Sequence, residues 1–154
     1  MVDDYVRSFQ RHCVGFSGMI AMLDTFKRQG YKLGVITNGF GDFQMGSIRG
    51  LGIEVYFDAI LVSEVEGLRK PDIRIFELAL QRLGVRPHEA VFVGDHPAND
   101  VEASMRAGMR GVWKEDASLG EPAGPALRIR ELPELHGLIA ALAEESPLPK
   151  RQSP

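Results

Sequence analysis

Four polar side chains stand where an apolar segment gives way to a loop. Asp95 and Asp100 lie in VFVGDHPAND, Thr37 closes KLGVIT, and Lys70 sits in RKPD. A hard cation such as magnesium takes carboxylate oxygens and keeps part of its water shell, so Asp95 is a candidate direct ligand. Asp100 is placed to hold a coordinated water or to orient Lys70. Thr37 can donate its hydroxyl to a phosphoryl oxygen, and the backbone N–H groups of Asn38 and Gly39 can add an anion nest beside it. Lys70, stiffened by Pro71, can neutralise charge on a transferred phosphoryl group. Each residue also has a plainer role. Asp95 and Asp100 favour a helix N-terminus through its dipole. Thr37 suits a strand before a turn, and a lone surface lysine is usually only solvated. Asn99 serves as a loop cap as readily as a site residue. His96, beside Asp95, fits a solvent-facing loop better than a general base, and Trp113 fits packing.

The elements that must position these residues follow from apolar periodicity. Residues 2–13 and 16–29 carry helical spacing, and Gly30 stops the second run. KLGVIT reads as a buried strand, 43–51 as a helix, and 57–62 as a second strand. A helix follows over 73–83, carried by Ile73, Phe76, Leu80 and Leu83. Residues 90–93 form the third strand, 97–107 a helix closed by Gly108, and 111–113 a short fourth strand. Residues 126–129 suit an edge strand and 135–143 a last helix. Alternating strands and helices give a parallel α/β sheet with right-handed crossovers and helices on both faces. Ligands bind beyond the carboxyl ends of such strands. Thr37, Asn38, Lys70, Asp95 and Asp100 all fall there, on three separate loops.

The totals bound the rest. The 154 residues suit one domain with a real core, and 44% hydrophobic and 25% charged residues are ordinary for a globular protein. A net charge of −3 argues against a general nucleic-acid or membrane-surface binder. Cys13 is the single cysteine, so no internal disulfide forms and a reducing compartment fits. No apolar run is long enough to span a bilayer, and no secretory signal opens the chain. Cytoplasmic residence is the expectation. Residues 144–154, rich in proline, read as a disordered tail.

In order and spacing, VITNG, RKPD and VGDHPAND resemble the second, third and fourth motifs of the haloacid dehalogenase superfamily. The likeness covers residues 15–143. FDAILVSEVEGLRKPDIRIFELALQRLGV is similar to the phosphatase-like branch. The resemblance implies a Rossmann-like core, a magnesium ion and hydrolysis of small phosphate monoesters through an aspartyl-phosphate. By the same resemblance Thr37 and Lys70 are catalytic, with Thr37 binding the phosphoryl group and Lys70 stabilising nucleophile and phosphate. Asp95 ligates magnesium and Asp100 supports its shell.

The family opens with a strand ending in Asp-x-Asp, and no such pair occurs in these 154 residues. Asp3 and Asp4 are adjacent and sit in a helical period, and residues 1–14 resemble the last helix of the family's inserted cap. The resemblance therefore implies a core over 15–143 that lacks its central first strand and most of its cap, and a chain inactive alone. Removing the nucleophile of a covalent mechanism costs orders of magnitude in rate. The strands at 32–37 and 90–94 must then pair directly, recruit a strand by homodimerisation or strand exchange, or leave backbone groups unpaired. Two rivals stand beside this reading. One is a non-catalytic phosphate-binding or interaction module that pairs with a partner chain. The other is an enzyme of another class that uses Asp95 and His96 without a metal.

Overall fold

The computed structural model describes residues 18–145. Residues 1–17 and 146–154 lie outside it, and with them the expected cap helix at 1–14, Asp3, Asp4, Cys13 and most of the expected tail. Helix α1 (Met19–Arg28) buries Met22, Leu23 and Phe26, the side of the helix that the spacing predicts. Gly30, at φ 83°, turns the chain toward β1 (Gly34–Thr37). Helix α2 (Gly41–Gly50) and strand β2 (Ala59–Val62) follow. The sequence reading has no counterpart for the one-turn helix α3 (Ser63–Glu66).

Helix α4 (Ile73–Leu83) has the predicted bounds, because both of its ends are written in the chain. The Asp72 carboxylate accepts the Arg74 N–H, and Gly84 closes the helix in the left-handed region at φ 64°. The Arg74 side chain, and then its N–H, hold the Asp72 carboxyl down to about 2. That cap is therefore in force above the ordinary carboxylate range and is lost only as pH falls through about 2.

Strand β3 (Val91–Gly94) leads into a wide π-type turn, Pro97–Glu102, and then a short helix α5 (Ala103–Arg106). This corrects the single helix expected over 97–107. The Asp100 N–H at 2.9 Å and the Val101 N–H at 3.4 Å both reach the His96 carbonyl, which widens the first turn, while the His96 ring caps the Asn99 N–H and the Asp100 carboxylate accepts the His96 N–H. Strands β4 (Arg110–Lys114) and β5 (Leu127–Ile129) and helix α6 (Leu135–Glu145) complete the described chain. Residues 144–145, expected in the tail, are helical, in keeping with the high helix propensity of glutamate. No helix among the described residues is long and apolar enough to cross a membrane.

The expected parallel sheet is present in two pieces. β1 pairs with β2 in register Gly34↔Ala59 to Thr37↔Val62, and β3, β4 and β5 form a second parallel set. No ladder joins β1 to β3 among the described residues. Helices join the halves instead. On one face Ile75, Phe76 and Ala79 of α4 pack against Leu61, Ile36 and Phe92, with Phe76 edge-on to Phe92 at 5.0 Å. On the other, Met22 and Phe26 of α1 and Ile139 of α6 pack against Leu33, Val91, Val93 and Val112. Burial is inverted relative to a closed sheet. The outer strand β2 holds Leu61 and Val62 at 0% and 2% exposure, while Val35, Ile36, Val91, Phe92 and Val93 are only half-buried. Between β1 and β3 lies a cavity of about 360 Å³.

Phe76, fully buried, bridges both half-sheets, so Phe76→Ala costs about 3–5 kcal/mol in urea unfolding. Val55→Ala, at an exposed position, stays within about 0.5 kcal/mol. Equal effects of the two changes would refute this account of the core.

Candidate functional site

The site is built on Lys70. The Asn38 carboxamide, just past β1, accepts the Lys70 N–H and donates to the Lys70 carbonyl, both at 2.9 Å. This reciprocal clamp fixes the loop after β2 to the end of β1. The Lys70–Pro71 peptide is cis. From there the Lys70 ammonium reaches Asp100 Oδ1 at 2.5 Å and lies 5.5 Å from the centre of the Phe92 ring. Both partners are largely withdrawn from solvent, with side-chain exposures of 13% and 6%. Asp100 Oδ2 accepts the His96 N–H at 3.1 Å. One run of bonds thus connects the ends of β1, β2 and β3, and the three predicted loops converge.

Gly94 makes this arrangement possible. A Cβ built there would stand 2.5 Å from Asp100 Cγ and Oδ2, so any side chain would displace the carboxylate. Asp95 turns the other way. Its carbonyl accepts the Trp113 indole N–H at 3.0 Å, which anchors the turn. Its carboxylate is exposed and carries no hydrogen bond among the described residues. Trp113 is buried, as its type suggested.

The loop after β1 differs from the expected nest. The Thr37 hydroxyl donates to Gln44 Oε1 at 2.9 Å, and the Gly39 N–H donates to Ser63 Oγ at 2.9 Å. Both donors are therefore occupied by protein. Gln44, on the first turns of α2, lies against Gly39, where a Cβ would meet its amide nitrogen at 2.6 Å. Sequence reasoning missed Gln44 and Ser63. Ser63 carried a signal, since it directly follows β2 at the same sheet edge as Thr37. Gln44 carried none, because it reaches the loop only through the geometry of α2. Glu64 Oε2 accepts the Gly41 N–H at the start of α2. His96 presents Nδ1 to the Asn99 N–H at 3.2 Å, so its ring is engaged as a cap.

A magnesium ion would find one uncommitted carboxylate here, Asp95, and a second, Asp100, already held by Lys70. No cluster of three His, Cys, Asp or Glu side chains suited to a metal occurs among the described residues. This donor set fits an ion that keeps waters and leans on a substrate phosphate. It does not fit an ion caged by protein alone.

With this geometry in view, comparisons with known proteins are decisive. Residues 1–114 match the haloacid dehalogenase-like hydrolase family. The chain belongs to that family. It is similar to phosphoserine phosphatase of Thermus thermophilus, at 39% identity over 75% of this chain and 47% of that one. It is also similar to glyceraldehyde 3-phosphate phosphatase of Methanopyrus kandleri, at 33% identity over 84% and 58%. Among solved structures, 2-haloacid dehalogenase of Pseudomonas syringae superposes with TM-score 0.70 and 34% identity, covering 82% of this chain and 53% of that one. The chain spans about half the length of the curated relatives it matches. Phosphatases of the haloacid dehalogenase-like family generally use magnesium.

Removing one partner of a buried ion pair leaves an uncompensated charge. Asp100→Ala is expected to cost about 3–5 kcal/mol, while a matched apolar replacement of both Lys70 and Asp100 is near neutral. Gly94→Ala should abolish most of the Lys70–Asp100 coupling energy in a double-mutant cycle. An Asp100→Ala chain as stable as the parent would show that the pair does not form.

Proposed function

We propose that this chain is the phosphate-positioning part of a magnesium-dependent phosphate monoester hydrolase that works through an aspartyl-phosphate, and that it does not turn over alone. The observation that carries this reading is the Lys70 clamp, which joins a buried ammonium to Asn38 and Asp100 at the sheet edge where the strands before Thr37 and Asp95 also end. In the reading, Lys70 faces the phosphoryl group while Asp100 holds its ammonium in place. Thr37 gives its hydroxyl to a phosphoryl oxygen once Gln44 releases it, and Asn38 keeps the two loops in register. Gly39 provides the close backbone approach. Asp95 and Asp100 are the metal-side residues, Asp95 direct and Asp100 through the shell. Magnesium, when bound, supplies charge neutralisation at the phosphoryl oxygens.

The nucleophile is the piece these residues do not provide. Asp100 is committed to Lys70 and His96, and Asp95 is the residue best placed for the metal. The attacking carboxylate must come from polypeptide outside the described residues. The non-catalytic module remains the rival outcome of the test, not a second reading favoured by an observation.

The test uses para-nitrophenyl phosphate and magnesium with this chain and with a form extended upstream. The expected result is turnover in the extended form only, falling at least about a hundredfold on Lys70→Ala or Asp95→Asn. Inactivity of both forms would favour the binding module. Full activity of the short form that survives Asp95→Asn would overturn the site assignment.

A further inference from the structure

The Thr37 hydroxyl and the Gly39 N–H, two donors at the carboxyl end of β1, both end on acceptors inside the protein. Ser63 Oγ takes the Gly39 N–H at 2.9 Å and donates to the Gly39 carbonyl at 3.4 Å, so this pair fastens one loop to the next. Gln44 holds Thr37 in a different way. Its Oε1 accepts the Thr37 hydroxyl at 2.9 Å, and the rest of the carboxamide lies along Gly39, where a Cβ would stand 2.6 Å from Nε2 and 3.1 Å from Cδ. Only a residue without a side chain leaves room for it. The backbone of Gln44 is fixed, because its N–H closes the first turn of α2 on the Phe40 carbonyl at 2.9 Å. The carboxamide itself has no other hydrogen bond among the described residues. A single polar bond, to Thr37, therefore sets where this side chain stands.

A hydroxyl has one proton to give. The proton that Gln44 Oε1 accepts is the one assigned above to a phosphoryl oxygen. The two acceptors differ in charge. A phosphoryl oxygen makes a charge-assisted bond and a carboxamide oxygen does not. Phosphate therefore wins the proton, with an affinity lowered by the bond it breaks. We propose that Gln44 is a positioning residue that competes with the phosphoryl group for the Thr37 hydroxyl and so sets how tightly the site holds phosphate. This role presupposes the phosphate site proposed above and regulates that same site. Competition of this kind weakens ester and free phosphate alike, since both present the same oxygens. Uniform binding is what is lost, so KM rises while the chemical step is untouched. Release gains from it. Orthophosphate, the product, leaves sooner when a neutral protein group stands ready to retake the hydroxyl. Glutamine suits this task by its chemistry. A glutamate would hold the hydroxyl with a full charge and repel phosphate, and an apolar residue would not hold it at all.

The test is calorimetric titration of the whole 154-residue chain with orthophosphate in the presence of magnesium. Gln44→Met keeps the length and helix propensity of the side chain and removes its acceptor. Binding should tighten roughly fivefold, the worth of one neutral hydrogen bond. Gln44→Ala, which clears Gly39 altogether, should give the same gain, and Gln44→Glu should weaken binding instead. In a Thr37→Val background Gln44→Met should change nothing. A side chain that only braced the loop would act in the opposite sense, with weaker binding in Gln44→Met and no dependence on Thr37. That result, or equal binding by Gln44→Met and the parent, would overturn the proposal and leave the phosphate site standing, so long as Lys70→Ala still abolishes binding. Orthophosphate binding that ignores Lys70→Ala, or that is absent from the parent and Gln44→Met alike, would overturn the phosphate site and this role with it.

Discussion

The ammonium of Lys70 is the point on which the sheet edge turns. An ammonium withdrawn from water is costly unless an opposite charge and hydrogen bonds meet it. Here Asp100 meets it from the loop after β3, while Asn38 holds its backbone from the loop after β1. Neither contact is replaceable by a neighbour. Asp100 fits only because residue 94 has no side chain, and it keeps its orientation through the His96 N–H. The loops of the site are therefore fixed to one another by polar bonds before any ligand arrives. This is the kind of preorganisation that phosphoryl transfer needs.

The polar clamp also explains how a divided sheet keeps one working edge. Hydrogen bonding between strands gives each half its internal order, but no ladder among the described residues relates one half to the other. That relation is supplied by apolar packing of α4 on one face and α1 with α6 on the other, and at the edge by Lys70. Among the described residues β1 and β3, which carry typical core residues, are less buried than β2.

Much of this was legible in the residues. The helix at 73–83 announced both of its ends, through Asp72 and Gly84, while of its expected stripe Phe76 and Leu80 are buried, together with Ile75 and Ala79 in place of Ile73 and Leu83. The three strand-end loops were legible because polar residues ended otherwise apolar runs. Strand pairing was less so. Periodicity says that 32–37 and 90–94 are strands, but nothing in their composition says which neighbours they take. The turn at 97–102 was misread as regular helix because apolar spacing does not show where the backbone widens, here with the Asp100 and Val101 N–H groups sharing the His96 carbonyl. Gln44 was invisible for a related reason. Its contact with Thr37 is set by where α2 starts, and that start depends on Glu64 taking the Gly41 N–H from a different loop.

Charge decides what else the edge must hold. Asp100 pairs with the Lys70 ammonium, so the exposed Asp95 carboxylate leaves these three residues with one excess negative charge before a substrate enters. A phosphate monoester adds a further charge of about −1.5 to −2 at neutral pH. In a partly desolvated site, like charges a few ångströms apart repel strongly. Moving Lys70 toward the phosphate does not relieve this, because Asp100 already takes most of its field. Either a cation sits with Asp95 and the phosphate together, or the substrate binds weakly at this edge. The exposed and unbonded state of the Asp95 carboxylate fits the first alternative. Its backbone is anchored by Trp113 while its oxygens have no hydrogen-bond partner among the described residues, as the proposed magnesium role requires.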